Sequence, residues 1–223
     1  MNDFVVEIAR RGTRHVDVFA PHPDDEIFAA ACTMRRLQAE GIGLRIIAVT
    51  DGEASHAQST LVTPQQMARR RLKEVEDAYR CLEITPERLR LKLPDGGVSS
   101  DAIQTGLSQM LKRDTAILAP LIDDGHPDHE ACGEAAQSIG RAQDCCVFFY
   151  QIWTPFRGHA SSSAAMHSWS VECDPNALAR KAQAIDCFQS QLVTLGPAVE
   201  DGPVLPADFV THFLVDRETF FGS

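Results

Sequence analysis

Short apolar runs alternate with helix-period segments from near the N-terminus onward. Val16–Ala20 reads as a buried strand, and Asp25–Glu40 as a helix with Ile27, Ala31, Met34 and Leu37 on one face. Leu44–Thr50 is a second, β-branched strand. Thr63-Pro64-Gln65-Gln66 then supplies an N-cap, a proline at the first helical position and a capping-box glutamine. The helix that follows carries Ala68, Leu72, Val75, Tyr79 and Leu82 along one stripe. Arg88–Leu93 is a third strand, stopped by the turn Pro94-Asp95-Gly96-Gly97.

A helix near Asp101–Lys112 leads to the strand Thr115–Ala119, the loop Pro120–Pro127 and a helix from Asp128 to Ala142. Val147–Trp153 is a fifth strand and Trp169–Cys173 an edge-strand candidate. Asp174-Pro175 opens the last long helix, with Leu178, Ala182, Ile185 and Leu192 on one side. The tail after Gly196, rich in proline and glycine, is expected to wrap the surface. Alternating strands and helices predict βαβ units: a Rossmann-like α/β fold with a mainly parallel sheet and helices on both faces. The expectation is a single domain over residues 1–223, with its core at 16–192 and a C-terminal wrap at 193–223. In such folds ligands bind beyond the carboxyl ends of the strands, here the loops after Ala20, Thr50, Leu93 and Ala119.

Composition narrows the class without naming a reaction. The chain has 223 residues, 44% hydrophobic and 23% charged, which fits a globular domain rather than a disordered or fibrous chain. No apolar run approaches a membrane span. A net charge of −10 and the lack of a basic tract argue against nucleic acid and anionic membranes as partners. The seven cysteines show no C-x-x-C spacing, and no secretory signal is apparent, so reduced thiols in a cytoplasm are expected. Net charge says nothing of assembly, and a homo-oligomer stays open.

The chemistry concentrates in two loops. Pro21-His22-Pro23-Asp24-Asp25-Glu26 follows the first strand, and Asp123-Asp124-Gly125-His126-Pro127-Asp128-His129 follows the fourth. Each has a His-Pro-Asp core with a metal-capable residue three positions after the histidine. His22, Asp25 and His129 form the His₂-carboxylate set of catalytic zinc, with a fourth position left for water. Such a set also accepts Fe²⁺ or another divalent ion. Asp24 is then free to act as general base, and His126 to donate a proton or offset negative charge. Each aspartate, Asp128 included, could instead be a helix N-cap. Two similar loops in the expected crevice favour the metal reading.

PHPDDE followed about a hundred residues later by HPDH resembles the PIG-L / LmbE-like family of zinc-dependent N-deacetylases. The likeness extends to Thr50-Asp51-Gly52-Glu53, to Arg71-x-x-Glu74-x-x-x-Ala78, to Leu93-Pro94-Asp95-Gly96-Gly97 and to Lys181 with Ser190-Gln191. It implies zinc on His22, Asp25 and His129, Asp24 as base and His126 as a cationic acid. Ala29-Ala30-Ala31-Cys32-Thr33 departs from the glycine pair that family members often carry there. The expected reaction is removal of an N-acetyl or other N-acyl group from an amino sugar or sugar-containing metabolite. Glu53, Arg71 and Asp95 are the candidates for binding that small-molecule substrate, with Asp128 in support. Trp153 could stack on a sugar face, although packing suits it as well. The stretch 156–166 could form a lid.

Three other readings compete. An amidase acting on a thiol-sugar conjugate, or on an acylated natural-product intermediate, would use the same site. A nucleotide-binding module fails because no glycine-rich phosphate loop follows the first strand. A structural zinc would take four protein ligands, often cysteine, and no cysteine lies in either motif.

Overall fold

The computed structural model describes residues 2–107, 114–157 and 162–222. In chain order, β1 (Asn2–Asp3) precedes α1 (Phe4–Arg10), β2 (His15–Ala20), α2 (Asp25–Ala39), β3 (Gly43–Ala48), α3 (Pro64–Leu82) and β4 (Glu87–Arg90). Then come α4 (Ser100–Leu107), β5 (Thr115–Pro120), α5 (Pro127–Gln143), β6 (Val147–Tyr150) and α6 (Thr154–Arg157). The chain closes with β7 (His167–Glu172), α7 (Pro175–Ile185), α8 (Gln189–Leu192), α9 (Ala207–Phe213) and β8 (Arg217–Gly222). Residues 158–161 of the lid candidate, with His159, lie outside the described residues.

The strands form one eight-stranded sheet in the order β1-β7-β8-β6-β5-β2-β3-β4. All pairings are parallel except those of β8 with β6 and β7. Alternate residues feed two cores. Val16, Val18, Ile46 and Leu118 pack on one face against α1, α2, α3 and α7. Phe19, Ile47, Ile117 and Ala119 pack on the other against α4 and α5. This period-two split is why the strands read as continuous apolar runs. The predicted α/β sheet with helices on both faces is therefore found, in one domain.

The tail after Gly196 departs from its expected surface course. Leu205, Phe209 and Phe213 are buried in the larger core, and Arg217–Gly222 inserts as β8 between β6 and β7. Trp169–Cys173 is consequently not an edge: β7 has β8 on one side and β1 on the other. The N-terminal segment also contributes core through Phe4, Val5 and Ile8. The last long helix is broken, ending at Ile185 before α8 resumes at Gln189.

Helix α2 is kinked at Ala30, whose φ of −143° is not helical. Nearby backbone donors find a partner outside the helix: Glu218 of β8 accepts from the N–H groups of Cys32 (3.0 Å) and Thr33 (2.8 Å). Lys181 of α7 neutralises that carboxylate at 2.8 Å, both side chains being buried. A buried charge is tolerated when it is paired and hydrogen-bonded in this way. Lys181 thereby acts as a pin between α7, β8 and the kinked helix.

Candidate metal and catalytic centre

Strands β2 and β5 are parallel neighbours, and the chain leaves them toward opposite ends of the sheet, β3 and β4 one way and β6 the other. This is a topological switch point, where the loops beyond the strand ends diverge and leave a crevice. The loops carrying His22 and His129 are the two that flank it. His22 Nδ1, Asp25 Oδ2 and His129 Nε2 lie 3.3 Å from one another in all three pairings. A tetrahedral ion with ligands at about 2.0–2.1 Å requires ligand-to-ligand edges of about 3.3–3.4 Å. The triangle thus has the dimensions of three corners of such a site.

The atoms around the triangle aim its lone pairs inward. His129 Nδ1 is 2.8 Å from Asp124 Oδ2, which leaves Nε2 as the acceptor facing Asp25 and His22. His22 Nε2 sits 3.2 Å from Asp95 Oδ1 and 3.4 Å from Asp128 Oδ2, although neither contact is aligned as a hydrogen bond. Carboxylates behind ligating imidazoles are the usual means of fixing their tautomer and orientation. Three acceptors converging on one buried point call for a cation or for protons. Burial opposes charge on His129, yet Asp25 and Asp124 raise its pKa to about 9. For His22, burial is likewise outweighed by Asp128, Asp25 and Asp95, and its pKa stands well above the ordinary value. The residues present fit a divalent metal.

Asp124 is the principal residue that sequence reading passed over. Its buried carboxylate also accepts from the N–H groups of Ile152 (2.9 Å), Trp153 (3.1 Å) and Thr154 (3.3 Å), and from Thr154 Oγ1 (2.9 Å). One side chain thus ties His129 to the loop after β6. Its position two residues before His126 was the available signal, but its partners come from a segment about thirty residues away.

Asp24 is buried beside the triangle with Oδ2 2.9 Å from Arg71 Nη2. Burial raises its pKa, Arg71 works in the opposite sense, and Asp25 adds to the rise. Arg71 is itself buried and contacts the carbonyls of Gly52 and Pro23. It passes so close to Gly52 (φ +67°) that a Cβ there would fall 2.2 Å from the guanidinium. The first turns of α3 therefore turn Met67, Arg71 and Glu74 inward, while Ala68 and Leu72 of the predicted stripe are only half-buried. Asp95 accepts from Ala54 N (2.8 Å) and stays at the cleft. Glu53 accepts from Asp95 N (3.0 Å) and so braces the turn; it is not among the residues lining the cleft. Asp128 holds the same turn through Gly96 N (2.7 Å) and Val98 N (3.1 Å).

His126 caps α5, its Nδ1 accepting from Asp128 N at 3.3 Å, which leaves the proton of the neutral ring on Nε2. Burial and the neighbouring His129 and His22 push its pKa down to about 4. That direction disfavours the cation that the family resemblance implies. These residues open on a cavity of about 240 Å³. Its lining also includes Phe28, Trp153, Gln191, Leu205 and Phe209. His56 stays outside it, hydrogen-bonded within its own loop and to Gly202 O. Among the described residues, no helix is long and apolar enough to cross a membrane.

A His₂-carboxylate triangle at the switch point of a parallel sheet, open to a cleft on one side, has the donor set of a catalytic rather than a structural metal centre. The chain belongs to the family described as PIG-L: GlcNAc-PI de-N-acetylase, which matches residues 18–139. It is 29% identical over 131 residues to a probable N-acetyl-alpha-D-glucosaminyl L-malate deacetylase 2 of Bacillus cereus. That match covers 55% of this chain and 59% of the relative, so the chain spans about three-fifths of that relative's length. Among solved structures, the fold is similar to N,N'-diacetylchitobiose deacetylase from Pyrococcus horikoshii (TM-score 0.68, 18% identity, 93% of this chain and 82% of that one). It is also similar to the zinc inhibited form of teicoplanin deacetylase Orf2 (TM-score 0.67, 15% identity, 93% and 97%). At these identities the structural likeness shows a shared fold.

Proposed function

We propose that this protein hydrolyses the amide of an N-acylated amino sugar or sugar-bearing metabolite, using a divalent metal, zinc foremost, held by His22, Asp25 and His129. The observation that carries this reading is the 3.3 Å triangle with Asp24 beside it, in a chain of the PIG-L family. When bound, such a metal polarises the amide carbonyl and lets water ionise near neutral pH. Arg71 fixes one oxygen of Asp24, and the other takes the proton of the attacking water. Neutral His126 donates a hydrogen bond from Nε2 to the carbonyl oxygen as charge builds there. Asp24 then returns its proton to the departing amine, so the products are the free amine and a carboxylic acid. Asp95 and Arg71 line the cavity and are suited to the hydroxyls of a sugar, while Glu53 and Asp128 hold the turn that presents Asp95.

The test is amine release from a panel of N-acylated amino sugars and thiol-sugar conjugates, with a chelated control. A related fold has been solved as a zinc-inhibited form, so zinc is best kept at one equivalent per chain. Chelator-sensitive release from a sugar amide supports the reading. Release confined to the thiol-sugar conjugates moves the substrate to that class. A verified metal with no release from any member refutes the proposal.

A further inference from the structure

Two chemically different walls meet in the cleft. The polar wall is joined by hydrogen bonds: Gln191 Nε2 donates to Ser190 Oγ (2.8 Å), Ser190 Oγ donates to Glu74 (2.6 Å), and Asp95 holds Ala54 N. The other wall is a ring cluster. Phe209 lies 4.8 Å from Trp153, 5.0 Å from Phe156 and 5.3 Å from Phe28, between ring centroids, and Ile152 and Leu205 complete the lining. This wall carries no charged side chain.

The apolar wall begins at the reacting centre itself. Phe28 stands one helical turn after Asp25, on the same face of α2. The N–H groups of Ile152 and Trp153 are held by Asp124, which also holds His129. Ile152, Trp153, Leu205 and Phe209 all fall outside residues 18–139, the segment that matches the family. Phe28 falls within it, so the wall joins the matched segment to the C-terminal part of the chain.

An amide brings two substituents into such a cleft. A hydroxyl-rich amine finds more hydrogen-bond partners on the polar wall than among the rings, where any hydroxyl buried without a partner costs about 1–3 kcal/mol. It belongs on the polar wall, which leaves the acyl group to the rings. An acetyl group offers them only one methyl. We propose that the acyl group removed by this protein is aliphatic and larger than acetyl, and that Phe209, Leu205 and Trp153 set this preference. The proposal rests on the amide-hydrolysis reading above.

The experiment compares glucosamine carrying N-acetyl, N-propanoyl, N-butanoyl and N-hexanoyl groups at one equivalent of zinc. Each methylene newly buried contributes about fourfold, equivalent to about 0.8 kcal/mol. kcat/KM should therefore rise at least tenfold from acetyl to butanoyl, and Phe209→Ala should lower it more on butanoyl than on acetyl. Because Phe209 is also core, Leu205→Ala provides a second variant. Binding supplies an independent readout: hexanoate should raise the Tm of the metal-free protein more than acetate does. A rate highest on acetyl and falling with chain length overturns the proposal and leaves amide hydrolysis intact. A gain from a benzyl aglycone on N-acetylglucosamine, with none from longer acyl groups, assigns the rings to the amine side and overturns it equally. No release from any member or from the wider panel above, with metal bound, refutes both readings.

Discussion

Replacing Asp124 by asparagine keeps the side chain's shape and removes its charge. The consequence can be worked out from its contacts. Oδ2 faces His129 Nδ1 (2.8 Å) and Trp153 N (3.1 Å); Oδ1 faces Ile152 N, Thr154 N and Thr154 Oγ1. Asparagine can retain only one oxygen. If the amide nitrogen takes the Oδ2 position, His129 must accept at Nδ1 and carry its proton on Nε2, the atom that faces Asp25 and His22. Metal would then have to displace that proton. If the nitrogen takes the other position, three donors of the 152–154 loop lose their acceptor. Loss of a carboxylate behind a ligating imidazole weakens metal binding about 10–100-fold. Two or three stranded buried donors cost about 2–5 kcal/mol in folding stability. Zinc competition against a chromophoric chelator at pH 7.5, together with urea unfolding of the metal-free protein, measures both quantities. An Asp124→Asn protein that binds zinc within twofold of the parent, at unchanged stability, would refute the reasoning.

Three further outcomes follow from particular contacts. Asp24→Ala should retain one zinc per chain yet lose about 10²–10⁴-fold in kcat, checked by metal analysis beside turnover; near-parental turnover would remove Asp24 as the base. Glu26 is fully buried, and burial lifts its pKa from 4.5 to about 7 against the opposing effects of the Tyr79 hydroxyl and Arg88. The folded state thus binds the extra proton between those values, so stability falls as pH rises from 4.5 to 7, by up to about 3 kcal/mol. Glu26→Gln should lose that slope, and equal urea midpoints for parent and variant at pH 5 and pH 8 would count against it. At Gly133 a Cβ would stand 2.7 Å from Pro120 O and 2.9 Å from Ile122 N, both backbone atoms that cannot swing away. Gly133→Ala should therefore push α5, which carries His129, off the end of β5 and cost about 1–3 kcal/mol in a thermal melt; a parental Tm would show that the helix can shift freely.

Legibility from sequence followed the range of the interactions involved. The β2–α2 and β5–α5 units were readable because apolar runs, caps and the His-Pro-Asp loops are local. The general rule for strand ends then indicated that His22, Asp25 and His129 could converge. Once the chain order of β2 and β5 is known, parallel pairing is enough to bring them together.

What tertiary structure alone decided depends on partners distant in sequence. Arg217–Gly222 is as long as β2 but carries no continuous apolar run, and it becomes a strand by pairing antiparallel with both β6 and β7. Arg71 could be an exposed helix arginine until Asp24 and the carbonyls of Gly52 and Pro23 surround it. Glu53 lies at a strand end, as a cleft residue should, yet Asp95 N takes its carboxylate. Asp124 gains its role only when the fold brings the N–H groups of Ile152, Trp153 and Thr154 to its carboxylate. The sequence by itself determined the βαβ alternation and the donor set, because periodicity and ligand chemistry belong to contiguous residues. Packing determined which carboxylates orient that set and which rings face it, since a buried polar group takes whichever partner the fold brings within reach.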